Sequence, residues 1–523
     1  MPSRTGCGRR PEETLVWLPD HLNRLVNLDR RAPAVEAEGR WWTWDDIARW
    51  QDRLVEIAAE NGVLLPADIA VVMENCFTSF ATMAAVLSTG STLIPLSPLK
   101  SAQSLAEELG GLRPQIVMAR NQHLLDQALR DAISAVGAIG VSLGTGRAEF
   151  AEVSVRPNGR PPMKRSADAD VAVRMGTSGT TGPPKRVSLR YDALEQTLRH
   201  GRNHHAAGAD GKATLRSGTV ILMNPPVHMA GFDAALRTMV EGRKACLLER
   251  FTVDGFVAAL RRHSPRVVGL VPAALRMLYE ADVPVDAFDA TEVVLCGSAP
   301  LSSALWRDFE NRYGVAILVN YGATEFAGAI AGWTAPDHAR WIGAKRGSVG
   351  RPHPGTELRV VDDNGVPVPV GERGTLEVRS VHLSGSWTRT SDLARIDEDD
   401  FLWLEGRSDG VITRGGFKVW PADVESVLEN HPAVREACVV AKKDARLGEV
   451  PVAVVELMSG IAPPTPSDLI SWSRARLTGY QTPVELMILD ALPRTQSMKV
   501  ARGAVRALVA AATDRDGHHG GAP

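Results

Sequence analysis

From Thr177 to Lys185 the chain holds only hydroxyl-bearing residues, glycine, proline and one lysine, within the stretch MGTSGTTGPPKRVSL that runs from Met175 to Leu189. Gly176, Gly179 and Gly182 permit positive φ and let the backbone approach a ligand with no Cβ in the way. Thr177, Ser178, Thr180 and Thr181 offer hydroxyl donors, and successive backbone N–H groups in such a loop form an anion-binding nest. Lys185 adds a positive charge. This is chemistry for phosphate. It is not the Walker loop, G-x-x-x-x-G-K-[ST], because Pro184 stands where the second glycine belongs. A Gly/Thr cluster alone is most often a surface turn, so the surrounding elements have to carry the argument.

Those elements alternate. Val171 to Arg174 reads as a strand leading into the loop, and Asp192 to His205 as the helix after it. DIAVVMENCFTSFATMAAVLSTGSTLIPL (68–96) gives strand, helix, Gly90 and strand; GTVILM (218–223), RVVGLV (266–271), EVVLC (292–296) and VAILVN (315–320) read as further strands, with a helix from Phe232 to Glu241. This predicts an α/β protein with parallel sheets, whose functional loops sit at the carboxyl ends of the strands. Leu15 to Asn61 reads as helical, with Thr43 as the cap candidate and Gly62 as the stop. After about Gly350 short strands and turns take over, and Asp363-Asn364-Gly365 is a hairpin signal, so a small antiparallel barrel or barrel-like sheet is expected. GRSDG (406–410) marks a boundary. Beyond it, PADVESVLENHPAVREACVVAKKD reads as helix, turn and strand, and PSDLISWSRARL as another helix. Residues 1–12 and 513–523 read as disordered.

Composition narrows the class. A chain of 523 residues predicts more than one domain. With 44% hydrophobic and 23% charged residues and a net charge of −2, it reads as soluble and globular and not as a nucleic-acid binder. Five widely spaced cysteines without a C-x-x-C exclude a disulfide framework or zinc site and fit a cytoplasmic location. Cys246, Cys296 and Cys438 lie in apolar runs and read as buried thiols. The polar, Arg-rich start is no signal peptide, and Phe77 to Pro98 is too polar to span a membrane.

In its order of residues the 175–189 stretch resembles the signature loop of the adenylate-forming superfamily: acyl-CoA synthetases, peptide-synthetase adenylation domains and luciferases. The superfamily's partner motifs follow in order, so that the resemblance spans about residues 15–505 through seven motifs. Asn224 to Gly231 (NPPVHMAG) looks like the acyl-pocket motif, with His228 as the gate and Met229, Ala230 and Gly231 lining the pocket beside Ala323 and Gly328. Gly297-Ser298-Ala299-Pro300 looks like the loop along the adenine. In Tyr321-Gly322-Ala323-Thr324-Glu325 the resemblance implies a ring that stacks on the base, a Thr324 hydroxyl on phosphate or carboxylate, and Glu325 holding Mg²⁺ among the phosphates. Thr390-Ser391-Asp392 is similar to the T-G-D motif, whose Asp receives both ribose hydroxyls. Arg407 would reach the ribose or phosphate, and Asp409 would be the hinge. Gly415, Gly416, Lys418 and Trp420 would shape the pantetheine tunnel. Pro493 to Lys499 (PRTQSMK) is similar to the C-terminal lysine motif, in which Lys499 bridges the attacking carboxylate and the α-phosphate.

The resemblance implies an N-terminal domain over 1–406, a hinge over 407–410, a smaller mobile α+β domain over 411–512 and the tail over 513–523. It also implies two half-reactions: a carboxylic acid and Mg·ATP give acyl-AMP and pyrophosphate, and CoA then displaces AMP. Three departures bear on this expectation. Met498 replaces the glycine before the lysine, Ser391 replaces the glycine of T-G-D, and Ser380 to Ser391 is short. Met498 bears on adenylation alone, which leaves open a protein that mainly turns a supplied acyl-AMP into thioester. Met229 after the gate, with Asp233 four residues beyond it, speaks against an amino-acid substrate. The small residues about the pocket suit a bulky apolar acid, aromatic or polycyclic, and the Ala- and Arg-rich composition suits specialised bacterial metabolism. An adenylation enzyme that loads a carrier-protein phosphopantetheine, a luciferase-like oxygenase and a non-catalytic acyl-AMP sensor stay open beside the CoA ligase, as does a homodimer.

Overall fold

The computed structural model describes residues 17–144, 151–157, 170–176, 186–204, 213–380, 385–458, 460–495 and 498–517. Two compact units divide the chain: one holds the residues up to Gly176 and Arg186–Arg250, the other runs from Phe251 onward.

The first unit is built on a seven-stranded sheet in which Ile139–Leu143, Ile116–Arg120, Asp68–Val72, Thr92–Leu96 and Val171–Gly176 lie parallel in that order. Ala151–Val155 and Arg186–Arg190 close its two edges antiparallel. The parallel strands are buried, and the helix Phe77–Ser88 is buried all round, as its even hydrophobicity requires. A second sheet sets Thr219–Leu222, Lys244–Leu247 and Pro33–Ala37 parallel, with Arg40–Thr43 antiparallel at the edge. Here the helical reading of Leu15 to Asn61 is corrected. Only Trp17–Val26 and Trp44–Glu60 are helices, and a hairpin stands between them. Glu38 (φ 55°) and Gly39 (φ 76°) make its turn, and Val35 and Glu36 take their partners Ala245 and Cys246 from 210 residues away. Thr43 does cap the second helix: its hydroxyl accepts from the Asp46 N–H while the Asp46 carboxylate takes the Thr43 N–H.

The second unit carries three sheets. Val267–Leu270, Val293–Cys296 and Ala316–Ala323 are parallel, and Gly328–Gly332 and Arg351–Pro352 extend that sheet antiparallel. Thr356–Val361, Gly374–Ser380, Thr388–Ile396 and Leu402–Arg407 form a four-stranded antiparallel meander. The Asp363-Asn364-Gly365 turn forms as expected and is closed by a bridge between Val361 and Pro367. Past the turn Ser408–Gly410 lies a sheet of Phe417–Val419, Ile412–Arg414, Gly448–Leu457 and Val434–Asp444, with Glu485–Leu489 parallel to Gly448–Leu457. The helices Pro421–Glu429 and Pro466–Arg474 cover this sheet through Val424, Leu428 and Leu469, and the last helix packs with Val505 and Val509 against Cys438 and Val440. That helix, Arg502–Gly517, continues past Thr513, where the sequence reading begins a disordered tail. The run ALVAAA (507–512) carries enough helix propensity to hold the turns that follow. Cys76, Cys246, Cys296 and Cys438 are free and buried, and burial pushes the Cys438 thiol up to about 12. Among the described residues no helix is long and apolar enough to cross a membrane.

Glu429, at the end of Pro421–Glu429, has a folded-state pKa pushed up to about 7. Burial raises it, the Ala437 N–H that it accepts opposes the rise, Glu425 and Glu436 add to it, and Arg276 opposes it. A folded value above the unfolded one means that the protonated form's stabilisation is complete below about pH 4.3 and is lost as pH rises through about 7. Urea unfolding should therefore show the protein less stable at pH 8 than at pH 6 by on the order of 1–2 kcal/mol from this group. Glu429→Gln should flatten that step.

Candidate active site

Several residues singled out by the sequence, His228 and Gly297 to Pro300 among them, follow the carboxyl ends of parallel strands. In the first unit, Val171–Gly176 and Arg186–Arg190 pair with Gly176 opposite Arg186, so the loop they bracket leaves from a fixed base. Arg186 clamps this base by donating to the Arg174 carbonyl (2.7 Å) and the Pro95 carbonyl (3.2 Å), and Arg174 pairs with Asp68 at 2.6 Å. Thr177, Ser178, Gly179, Thr180, Thr181, Gly182 and Lys185 themselves lie outside the described residues.

His228 is half-buried at the N-cap of Met229–Val240. Gly231, one turn into that helix, is required: a Cβ there would lie 2.2 Å from the Pro225 carbonyl oxygen. The close approach folds Asn224–Pro226 against the helix beside a small cavity, lined among others by Phe80, Met83, Asn224, Gly231 and Ala235. Met229 is buried and Ala230 exposed. Cys76 and Asn75, which also line the cavity, are contributors that the motif reading did not reach.

In the second unit the strand Ala316–Ala323 runs into a 3-10 turn, Thr324–Phe326, and returns as Gly328–Gly332. Ala323 and Gly328 are cross-strand partners in this hairpin. A Cβ on Gly322 would lie 2.1 Å from the Gly328 carbonyl oxygen, so only glycine lets the two strands approach here. Gly297 ends the neighbouring strand against the side chain of Asn320, 2.1 Å from where a Cβ would stand, and Ser298 takes φ 73°. Asn320 is a site residue that the motifs alone did not show. Its only signal in the sequence is a polar side chain closing the apolar strand Val315 to Val319.

Tyr321, Asp392 and Arg407 come together. The Tyr321 hydroxyl donates to Asp392 Oδ2 at 2.5 Å, and the Arg407 guanidinium lies 3.7 Å from Asp392 Oδ1. Asp392 and Arg407 are register partners on adjacent strands of the meander. Thr390 braces the carboxylate's backbone: its hydroxyl accepts from the Asp392 N–H at 3.0 Å and donates to the Leu376 carbonyl at 2.9 Å. Ser391, where the family pattern has glycine, accepts the Ser408 hydroxyl at its carbonyl (3.1 Å), so the position is tied to the turn Ser408–Gly410. Burial pushes the Tyr321 phenol well above its ordinary value, and the charge of Asp392 raises it further. Glu325 is exposed, one turn from Tyr321, close enough that its charge acts on the same phenol.

Asp409 belongs to the 3-10 turn Ser408–Gly410. Gly415 (φ 57°) and Gly416 (φ 88°) are the two central residues of a primed hairpin turn between Ile412–Arg414 and Phe417–Val419. Lys418 is exposed and pairs with Asp363 at 3.5 Å; Trp420 caps Pro421–Glu429 under the Arg373 guanidinium. Lys499 sits in a tight loop. The Thr495 N–H donates to the Lys499 carbonyl (2.7 Å), the Lys499 N–H to the Thr495 hydroxyl (3.2 Å), and Arg494 and Val500 bridge its base. Met498 takes φ 61°, the left-handed conformation that glycine adopts freely, at a cost of about 1–2 kcal/mol. The loop thus keeps the glycine geometry in spite of the methionine. Burial lowers the pKa of Lys499, and the nearby positive charge of Arg407 lowers it further.

Comparison with known proteins accords with this geometry. The family model for AMP-binding enzymes matches residues 23–386, and that for the AMP-binding enzyme C-terminal domain matches residues 423–499. The chain is similar to indoleacetate–CoA ligase of Aromatoleum aromaticum, 27% identical over 95% of this chain and 99% of the relative. It is also similar to the fatty acid–[acyl-carrier-protein] ligase ScoC of Streptomyces coeruleorubidus, 26% identical over 91% of this chain and 93% of the relative. The o-succinylbenzoate CoA synthetase of Bacillus subtilis, solved with its acyl-adenylate, superposes with a TM-score of 0.76 at 23% identity, covering 93% of this chain and 98% of that one.

Proposed function

Since this chain belongs to the AMP-binding enzyme family, the adenylate-forming superfamily, we propose that it joins a bulky apolar carboxylic acid, aromatic or polycyclic, to CoA by way of acyl-AMP. At the coarser level it is an AMP-forming acid–thiol ligase with a large N-terminal and a smaller C-terminal part. The observation that carries the reading is the meeting of Tyr321, Asp392 and Arg407, with Lys499 close enough to feel the Arg407 charge.

In the first half-reaction a carboxylate oxygen of the acid attacks the α-phosphorus of ATP and pyrophosphate leaves. Asp392, two oxygens wide, receives the ribose diol, and Arg407 steadies its charge. Lys499 meets the negative charge that develops between carboxylate and α-phosphate. A lysine held half-buried acts in a lower effective dielectric than one in water, so its charge is worth more there. Thr324 offers a hydroxyl to the same oxygens. Glu325, an exposed carboxylate at the mouth of this group, fits a hard cation and is the residue that would hold Mg²⁺, which supplies charge neutralisation among the phosphates. In the second half-reaction the CoA sulfur attacks the acyl carbon, AMP leaves, and the thiol proton passes to solvent. A rotation at Asp409 would exchange Lys499 for the Gly415–Gly416 turn. The small residues Ala230 and Gly231 are what supports a bulky apolar acid, with His228 at the gate.

Acid-dependent ATP–pyrophosphate exchange across aliphatic, aryl and polycyclic acids tests the reading. Exchange with aryl or polycyclic acids, followed by a CoA thioester, is expected; preference for short aliphatic acids would sink the assignment of the acid. Thioester formed only on a carrier-protein phosphopantetheine would move the acceptor. The backbone of Met498 favours one second reading: a loop held in a strained conformation could adenylate slowly and leave the protein best at converting a supplied acyl-AMP. Silence in exchange, with thioester still made from synthetic acyl-AMP, would establish it.

A further inference from the structure

A chain of charges runs from the helix Pro272–Glu280 to the lysine loop, outside the nucleotide site. Glu280, the last residue of that helix, pairs with the guanidinium of Arg435 on the strand Val434–Asp444. Arg435 also holds Glu456 Oε1 at 2.6 Å. Glu456 is almost wholly buried, and its other oxygen accepts the Leu492 N–H at 2.9 Å and an Arg494 nitrogen at 3.2 Å. Arg494 forms the base of the lysine loop, pairs with Glu436 at 2.6 Å and donates to the Met498 carbonyl at 3.4 Å. Two guanidiniums and a backbone N–H on one buried carboxylate make a joint that resists rearrangement, since removing any partner leaves a buried charge short of compensation. The exposed end of the chain is different. Glu280 and Arg435 are each about a quarter exposed (28% and 26%), so this link can open to water without stranding either charge. The network therefore has a rigid part, which braces the backbone around Lys499, and a releasable part, which ties the strand sheet to a helix 155 residues earlier in the sequence. Among the described residues, Arg373–Asp423 and Lys418–Asp363 also join the two sides of 407–410, but neither reaches the lysine loop, and Lys418–Asp363 is exposed on both sides.

We propose that Glu280 and Arg435 are positioning residues for the first half-reaction: their pair docks the C-terminal sheet so that the braced Lys499 loop faces Arg407 and Asp392, and opens when the second half-reaction begins. The inference rests on the acid–thiol ligase reading for its catalytic consequence, but the docking itself does not. Glu280 lies at a helix end, so Glu280→Lys should fold, and a melting temperature within a few degrees of the parent checks this.

The expected result for Glu280→Lys is a fall of about tenfold or more in kcat for ATP–pyrophosphate exchange with KM for ATP within about twofold. Thioester formation from synthetic acyl-AMP and CoA should be unchanged or faster, and Glu280→Asp should restore most of the exchange. Exchange within twofold of the parent, or an equal loss in both half-reactions, would overturn the proposal. Hydrogen–deuterium exchange on the intact, substrate-free chain tests docking alone: Glu280→Lys should speed exchange in peptides covering 272–280 and 434–444. Unchanged protection in both segments would overturn the docking. If no acid supports exchange in the parent and synthetic acyl-AMP gives no thioester, the ligase reading has failed, and the hydrogen-exchange outcome still decides whether the pair docks the sheet.

Discussion

Replacing Lys499 with alanine is expected to lower acid-dependent ATP–pyrophosphate exchange by roughly 10²–10³-fold, the usual effect of deleting one group aimed at transition-state charge. Thioester formation from synthetic acyl-AMP and CoA should stay within about twofold of the parent, because in the proposed mechanism the lysine acts only while the α-phosphate is under attack. The structure explains why no neighbour replaces it. The loop is tied at both ends by the Thr495–Lys499 hydrogen bonds and the Arg494–Val500 bridge, so its backbone cannot bring another side chain to the same place. The second cation of the group, Arg407, already faces Asp392. The lowered pKa of Lys499 adds a check. Burial comes first and the Arg407 charge second in reducing it, so a dependence of exchange on an ionisation below the ordinary lysine value should move upward in Arg407→Gln, where one of the two causes is gone. Loss of both half-reactions in equal measure would show that Lys499 holds the fold and not the α-phosphate.

Asp392→Asn is expected to raise the Kd for AMP, read by titration calorimetry, and the KM for ATP by roughly 10–100-fold, the range set by hydrogen bonds to a charged group worth about 1.5–3 kcal/mol. The amide keeps the shape of the carboxylate but loses the charge that faces Arg407 and the second acceptor oxygen that a diol needs. The Tyr321 hydroxyl, partly buried and donating to Asp392, keeps an acceptor in the asparagine carbonyl, which argues that the fold survives. A Kd unchanged in Asp392→Asn would remove Asp392 from the nucleotide site. Alanine would be a poorer test, since it would leave the partly buried Tyr321 hydroxyl short of its partner.

What the sequence made legible follows from the range of the forces involved. The cap at Thr43 is set by residues within one turn of it, and the strand–helix–strand of 68–96 by patterns within single elements, and both stand in the structure as read. The Pro33–Ala37 and Arg40–Thr43 hairpin was not legible. Its apolar residues fit a helical period, and its status as strand depends on Lys244–Leu247, two hundred residues on. The local cue that could have found it is the Glu38-Gly39 pair, both at positive φ, which is a primed turn. The motifs named Tyr321, Asp392 and Arg407 singly, while the hydrogen bond across 71 residues that joins the first two belongs to tertiary structure. Asn320, Glu280 and Arg435 carry no motif weight, because their roles arise from what stands beside them: a glycine backbone and each other.

The glycines that let backbone meet backbone also decide where this scaffold can be redesigned. Gly322 and Gly231 leave no room for any other letter, with carbonyl oxygens 2.1 and 2.2 Å from where a side chain would begin. A library aimed at new acids that randomises the motif residues themselves would spend most of its members on misfolded protein. Ala235, Met83 and Phe80 line the cavity from helix walls, where volume can be exchanged between neighbours while the loops keep their paths. In the first unit the adaptable face of this cavity is therefore helical, and Gly231 marks the part that selection has to leave alone.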